Sequence, residues 1–229
     1  MKTAGIIGGF GPQTTAKFYE QVFFACQRTN PSTKAHILIS SVPLPFQIES
    51  NAILKNEGVD EYLPYLENEA QRLEKAGADF LVLPCNSLHI HIRALRACVS
   101  IPMLSIIDET AHFLVRRSIQ SAAILSTAMT ARHRLYENEL TKYGIHCAAP
   151  DEAQQQTLNQ IVFHLVNGEN NQPDRDQLSH IIRSFLNVDC ILLACTDLQL
   201  LELESPDIPI FDTMQILADS TVREICMQE

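Results

Sequence analysis

The sequence is short of basic residues, of long apolar runs and of any regular cysteine spacing, and each shortage closes off a class of function. Lysine and arginine number 17 against 27 aspartates and glutamates, a formal net charge of −10. The charges are scattered along the chain, so no basic patch or stripe is available to hold nucleic acid. A small anionic ligand stays compatible, because the local field of a site can oppose the net charge. No span approaches the roughly 18 apolar residues of a membrane helix. The opening "MKTAGIIGG" has one lysine and a short apolar run before two glycines, less than a signal h-region needs. A soluble, cytoplasmic protein with no membrane and no nucleic-acid partner is expected. Seven cysteines, an odd number at irregular spacings, do not make a disulfide framework, so reduced thiols are expected.

What is present is alternation. Short apolar runs and longer amphipathic stretches succeed one another from end to end, the pattern of parallel strands joined by crossover helices. Strands are expected near Ala4–Gly8, His36–Ser41, Asp79–Pro84, Met103–Ile106, Ala122–Ser126, Asp189–Ala194 and Ile208–Phe211. Several are apolar throughout, as strands buried on both faces should be. In "EYLPYLENEAQRLEKAGAD", Leu66, Ala70, Leu73 and Ala76 recur at helical spacing, with Pro64 in the first turn and Gly77 after the last. "TARHRLYENELTKYG" reads as a second helix, with Leu135, Leu140 and Tyr143 on one face and Gly144 closing it. "VNGENNQPDRD" reads as a loop between two helices.

Two junctions match. "DFLVLPCNSLH" and "DCILLACTDLQLL" each place a cysteine, Cys85 and Cys195, directly after an apolar run and before a polar step that opens an amphipathic segment. The two lie about half the chain apart, and no low-complexity linker divides the halves. The pattern suggests an old duplication and an α/β fold of two lobes. Ligands of such sheets bind beyond the carboxyl ends of the strands, where both cysteines fall. Free N–H groups at a helix start lower a thiol pKa and also bind carboxylates. A lone cysteine beside an apolar strand is usually inert core, but two at matched junctions suit one particular chemistry. A thiolate on one face of a small molecule removes a proton from carbon while a thiol on the other face delivers one, inverting a stereocentre. Asp197, two residues after Cys195, is placed to relay that cysteine's proton.

The other motifs are weaker. "GIIGGFGPQTT" is a tight turn after the first strand, in which Gly9, Phe10 and Gly11 would approach a ligand; Thr14 and Pro12 break the dinucleotide fingerprint. His89 and His91 diverge by about half a turn on a helix and would not share an ion, and the clustered Cys/His spacing of a zinc site is missing. No metal is expected, with His89 a polar neighbour of Cys85 and His91 a surface residue. Cys26, Cys98, Cys147, Cys190 and Cys226 have no comparable company.

In four ordered motifs spanning nearly the whole chain, the sequence resembles the cofactor-independent aspartate/glutamate racemases. These are "GIIGGFGPQTT", "LPCNSLH", "IPMLSIIDETA" and "ACTDL". The resemblance implies two similar αβα lobes with parallel sheets related by pseudo-twofold symmetry, an active site in the cleft between them, no cofactor and a homodimer. Residues 1–104 plus 208–229 would form the first lobe and residues 105–207 the second, the C-terminal strand and helix returning to the first. It implies Cys85 and Cys195 as paired acid and base, with Asn86, Ser87, Thr127, Thr196 and the turn around Phe10 cradling the amino-acid carboxylate and ammonium.

The chain also departs from that family. Ser87 stands where threonine is common, Ala194 where glycine is, and Asp197 where glutamate is. The arginine that grips an acidic side chain is replaced near Gln47, and a lysine is missing near Val166; His164 is a weak substitute. The expectation is therefore an amino-acid racemase of the aspartate/glutamate type that needs no pyridoxal phosphate and whose natural amino acid is open. Two alternatives stay beside it: a two-cysteine isomerase or decarboxylase of a maleate-like dicarboxylate, and a catalytically inactive amino-acid-binding protein.

Overall fold

A computed structural model describes residues 1–32, 34–55, 57–201, 203 and 208–227; side chains 53–55 are outside the description. The first half runs β1 (Ala4–Gly8), α1 (Pro12–Thr29), β2 (Ile37–Ser41), α2 (Phe46–Lys55), α3 (Leu63–Lys75), β3 (Phe80–Val82), α4 (Ile92–Cys98) and α5 (Ile106–Arg116). The second runs β4 (Ser121–Leu125), α6 (Ala128–Arg132), α7 (Leu135–Leu140), β5 (His146–Ala148), α8 (Glu152–Val166), α9 (Gln172–Arg183), β6 (Cys190–Leu193), β7 (Ile210–Asp212) and α10 (Thr213–Cys226).

The strands form two parallel sheets, ordered β2-β1-β3 and β5-β4-β6-β7. In each sheet the first strand in sequence lies between the second and the third, so β3 and β6 hold equivalent places. This shared order is the structural form of the twofold pattern in the sequence. Strands β1, β3 and β6 are buried along their whole length, as continuous apolar runs require when helices cover both faces. Between the sheets lies one apolar core in which Phe18 and Val22 of α1, Leu114 of α5 and Met214 and Leu217 of α10 meet residues of both sheets. Each lobe also has its own outer core.

Several expectations need correction. The segment near Met103–Ile106 is no strand: Leu81 and Met103 form a single bridge, and Ser105 then caps α5 by accepting from the Asp108 N–H at 3.1 Å. The second expected helix breaks at Arg134, a left-handed residue with φ 50°, and resumes as α7. Its buried face is Tyr136 and Leu140, while Tyr143 is exposed. Strand β5 has only three residues, too few to leave an apolar run. The expected loop ends early, because Pro173 enters α9 in its first turn and Asn171 caps it. The C-terminal strand does not return to the first lobe: β7 pairs with β6 and extends the second sheet. The helix that follows does reach back, packing α10 against α1 and α5 while the Lys2 N–H donates to the Ile225 carbonyl at 3.1 Å.

All seven cysteines are free. Among the described residues, no helix is long and apolar enough to cross a membrane.

Candidate active site

Because Cys85 follows β3 and Cys195 follows β6, the two equivalent strands deliver one thiol each to the same edge of the molecule. Both line a single cleft with about 570 Å³ of empty space, its open mouth included. That size is ordinary for a small-molecule site. Each cysteine also sits in the same local turn. The backbone N–H groups of Ser87 and Leu88 reach Cys85, and those of Asp197 and Leu198 reach Cys195. This is the spacing by which an N-cap side chain accepts from N2 and N3, here with sulfur as acceptor. Short 3-10 turns, Ser87–His91 and Leu198–Leu201, follow both.

Burial outweighs those donors. Desolvation pushes the half-buried Cys85 thiol up to about 12, with the charges of Asp197 and Glu49 adding to the rise. Cys195 is held well above the ordinary thiol range by burial and then by Asp197. Asp197 itself is raised to about 6, also by burial, against the pull of hydrogen bonds from Thr14 and Cys195. The Thr14 hydroxyl donates to Oδ1 of Asp197, and the Cys195 Sγ lies 3.8 Å from Oδ2. Asp197 is thus a buried carboxyl group whose remaining oxygen faces the Cys195 thiol, able to take a proton when ionised. Gly11 makes room for it: with φ at +76°, a Cβ here would come within 2.5 Å of Asp197 Oδ1.

Hydroxyls line the cleft as well. Ser87 and Thr127 share a hydrogen bond at 2.8 Å, and Thr130 lies 3.1 Å from Ser87. Thr127 occupies the loop after β4, the counterpart of the Phe10 turn after β1, so both pairs of equivalent loops build the cleft. Asn86 lines it too, but its amide is engaged elsewhere: Oδ1 accepts from the Tyr136 hydroxyl at 2.5 Å and Nδ2 donates to Thr213 at 3.1 Å. Thr213 in turn donates to the Leu193 carbonyl at 2.9 Å. Asn86 therefore ties the Cys85 turn to the second sheet. Thr196 is buried and lines the cleft beside Cys195.

The structure brings together Cys85, Cys195, Asp197, Phe10, Asn86, Ser87, Thr127 and Thr196. It does not bring in Gln47, which is exposed and donates to Asn51 at 2.9 Å. Further along the same helix, Glu49 and Ala52 line the cleft instead. Gly9 and Gly11 shape the turn but do not line the cavity. Val166 does line it, with Val162, while His164 is drawn off to Asp174 at 2.9 Å.

The sequence reading missed Thr14, Glu49 and Tyr62. Thr14 entered the sequence reading only as a residue that breaks the dinucleotide fingerprint. Glu49 and Ala52 are three apart on α2, a helical spacing that brings both to the cleft.

His89 acts through the backbone. Its Nδ1–H donates to the Cys85 carbonyl at 2.8 Å and its Nε2 accepts from the Ile106 N–H at 3.1 Å. Burial lowers its pKa to about 4, so it is the neutral tautomer. His91 is not a surface residue: it is buried, with Nε2 2.9 Å from the Val59 carbonyl. Among the described residues, no group of three or more His, Cys, Asp or Glu is gathered as metal ligands would be.

The molecule is thus a two-lobed α/β fold with one cysteine beyond each of two equivalent strands, both lining one cleft. The model of the Asp/Glu/hydantoin racemase family matches residues 7–221, and the chain belongs to that family. It is 31% identical over 229 residues to the broad specificity amino-acid racemase RacX of Bacillus subtilis, covering 95% of this chain and 96% of that one. Among solved structures, the aspartate racemase of Picrophilus torridus superposes with a TM-score of 0.80 at 25% identity, over 98% of this chain and 94% of that one. The glutamate racemase of Francisella tularensis, in complex with D-glutamate, shares the fold at a TM-score of 0.64 and 12% identity, over 96% and 78%.

Proposed function

We propose that the protein is a cofactor-independent amino-acid racemase that inverts Cα by proton exchange between Cys85 and Cys195. The observation that carries this reading is the matched pair of cysteine turns, one from each lobe, lining one cleft.

In one direction, Asp197 accepts the Cys195 proton. The thiolate so formed breaks the Cα–H bond, and the carbanion takes a proton from the Cys85 thiol on its opposite face. The product leaves with the two sulfurs' protonation exchanged, and the reverse reaction starts from that state. Raised thiol pKa values are compatible with this course, because a thiolate forms only when the substrate ammonium enters the cleft and offsets its charge. Ser87 and Thr127 hydroxyls, with Thr196, suit the substrate carboxylate, which must be held as charge develops at Cα. The family resemblance supports a homodimer, which light scattering measures.

Chiral chromatography of the purified protein and of its Cys85→Ser, Cys195→Ser and Cys26→Ser variants tests the mechanism. General acid and base groups each contribute about 10²–10⁴-fold, so either site variant should lose racemisation by that order while Cys26→Ser retains it. Full racemisation by either site variant would end the two-thiol reading.

A further inference from the structure

Glu49 is the acid in the cleft that the proton exchange does not use. It lies on α2, a helix of the first lobe that packs against α8 of the second, and with Ala52 it lines the same cavity as Val162 and Val166 of α8. Its side chain makes no hydrogen bond or ion pair with the described residues. Among the described residues lining the cleft there is no lysine, arginine or histidine to pair with Glu49 or Asp197. A carboxylate removed from water without a partner is costly, and Glu49 is accordingly raised above its ordinary range by burial and by the charge of Asp197. A ligand that supplies the missing cation would relieve that cost. An amino acid with an acidic side chain would bring a further negative charge instead.

We infer that Glu49 selects amino acids with a cationic side chain, of the lysine, ornithine or arginine kind, and holds that cation at the α2–α8 end of the cleft. The apolar lining of the cleft suits such a chain. Ala52, Tyr62, Met129, Val162 and Val166 are apolar or aromatic and would cover methylene groups, leaving the charged tip to Glu49. The inference rests on the racemase reading for its chemistry but on the cleft alone for its recognition.

The test compares L-lysine with L-norleucine, which has the same chain length without the terminal ammonium. Both are assayed for racemisation and for binding by calorimetry, with the wild type and with Glu49→Gln, whose fold is checked by thermal unfolding. The wild type should favour lysine by about 10- to 100-fold in kcat/KM, and the lysine-to-norleucine ratio should collapse towards one in Glu49→Gln. A wild-type ratio near one, or an equal loss on both substrates that marks Glu49 as the partner of the α-ammonium, would overturn the inference. If no amino acid racemises while lysine still binds in a Glu49-dependent way, the racemase reading fails and the recognition by Glu49 stands. If lysine binds no better than norleucine, the inference itself has failed.

Discussion

Replacing Asp197 by asparagine should make the protein more stable while disabling it. Asp197 is 7% exposed, and burial raises its pKa to about 6 from an ordinary 3.8. The folded state therefore holds the proton more tightly than the unfolded chain does. The stability linked to this group is fully present below about pH 4 and is lost as the pH rises through about 6. A shift of about two units corresponds to roughly 3 kcal/mol at 1.36 kcal/mol per unit. Asparagine keeps an oxygen to accept from Thr14 and a nitrogen to face Cys195, but carries no charge. Asp197→Asn should thus gain about 2–3 kcal/mol at pH 8, or about 5–10 °C in Tm for a chain of this size, and the gain should vanish near pH 4. Circular dichroism melts of both proteins between pH 4 and 8 measure it. Racemisation should fall by about 10²-fold or more, because Cys195 loses its proton acceptor. A variant no more stable than the wild type at pH 8, or a gain that does not change with pH, would refute this placement of a strained charge.

Thr14→Val removes the hydroxyl that donates to Asp197. That hydrogen bond favours the ionised acid, so its loss should move the acidic limb of the kcat/KM profile upward by about one pH unit; an unmoved limb would mean that Asp197 does not govern it. Asn86→Ala leaves the buried Tyr136 hydroxyl and Thr213 without their shared partner, which should cost about 1–3 kcal/mol in urea unfolding, with no loss expected if Asn86 only touched substrate.

The cysteines of the cleft were legible where local pattern and position coincide. Cys85 and Cys195 follow continuous apolar runs, and such runs are buried parallel strands whose carboxyl ends make binding sites. Asp197, Ser87 and Thr196 were legible through proximity to them in sequence. Thr14 was not, because its contact with Asp197 spans 183 positions and joins two lobes. Gln47 was read as a cleft residue and Glu49 was not, since the side of α2 that meets the cavity is set by packing against α8 rather than by any local signal. The C-terminal strand was assigned to the wrong sheet for a similar reason. A three-residue strand carries no mark of its neighbour, and the pairing of β7 with β6 follows only from where the chain emerges after the Cys195 turn. His91 looked like a surface residue because its bond to Val59 lies far away along the chain.

The most direct test of a cofactor-free two-thiol exchange is proton NMR of the purified protein with single L-amino acids in deuterated water, lysine, norleucine, aspartate and glutamate among them. Loss of the Cα–H signal without any added cofactor, accompanied by growth of the deuterated opposite enantiomer, is the expected result, and it names the substrate at the same time. A Cα–H signal that persists with every amino acid would contradict it.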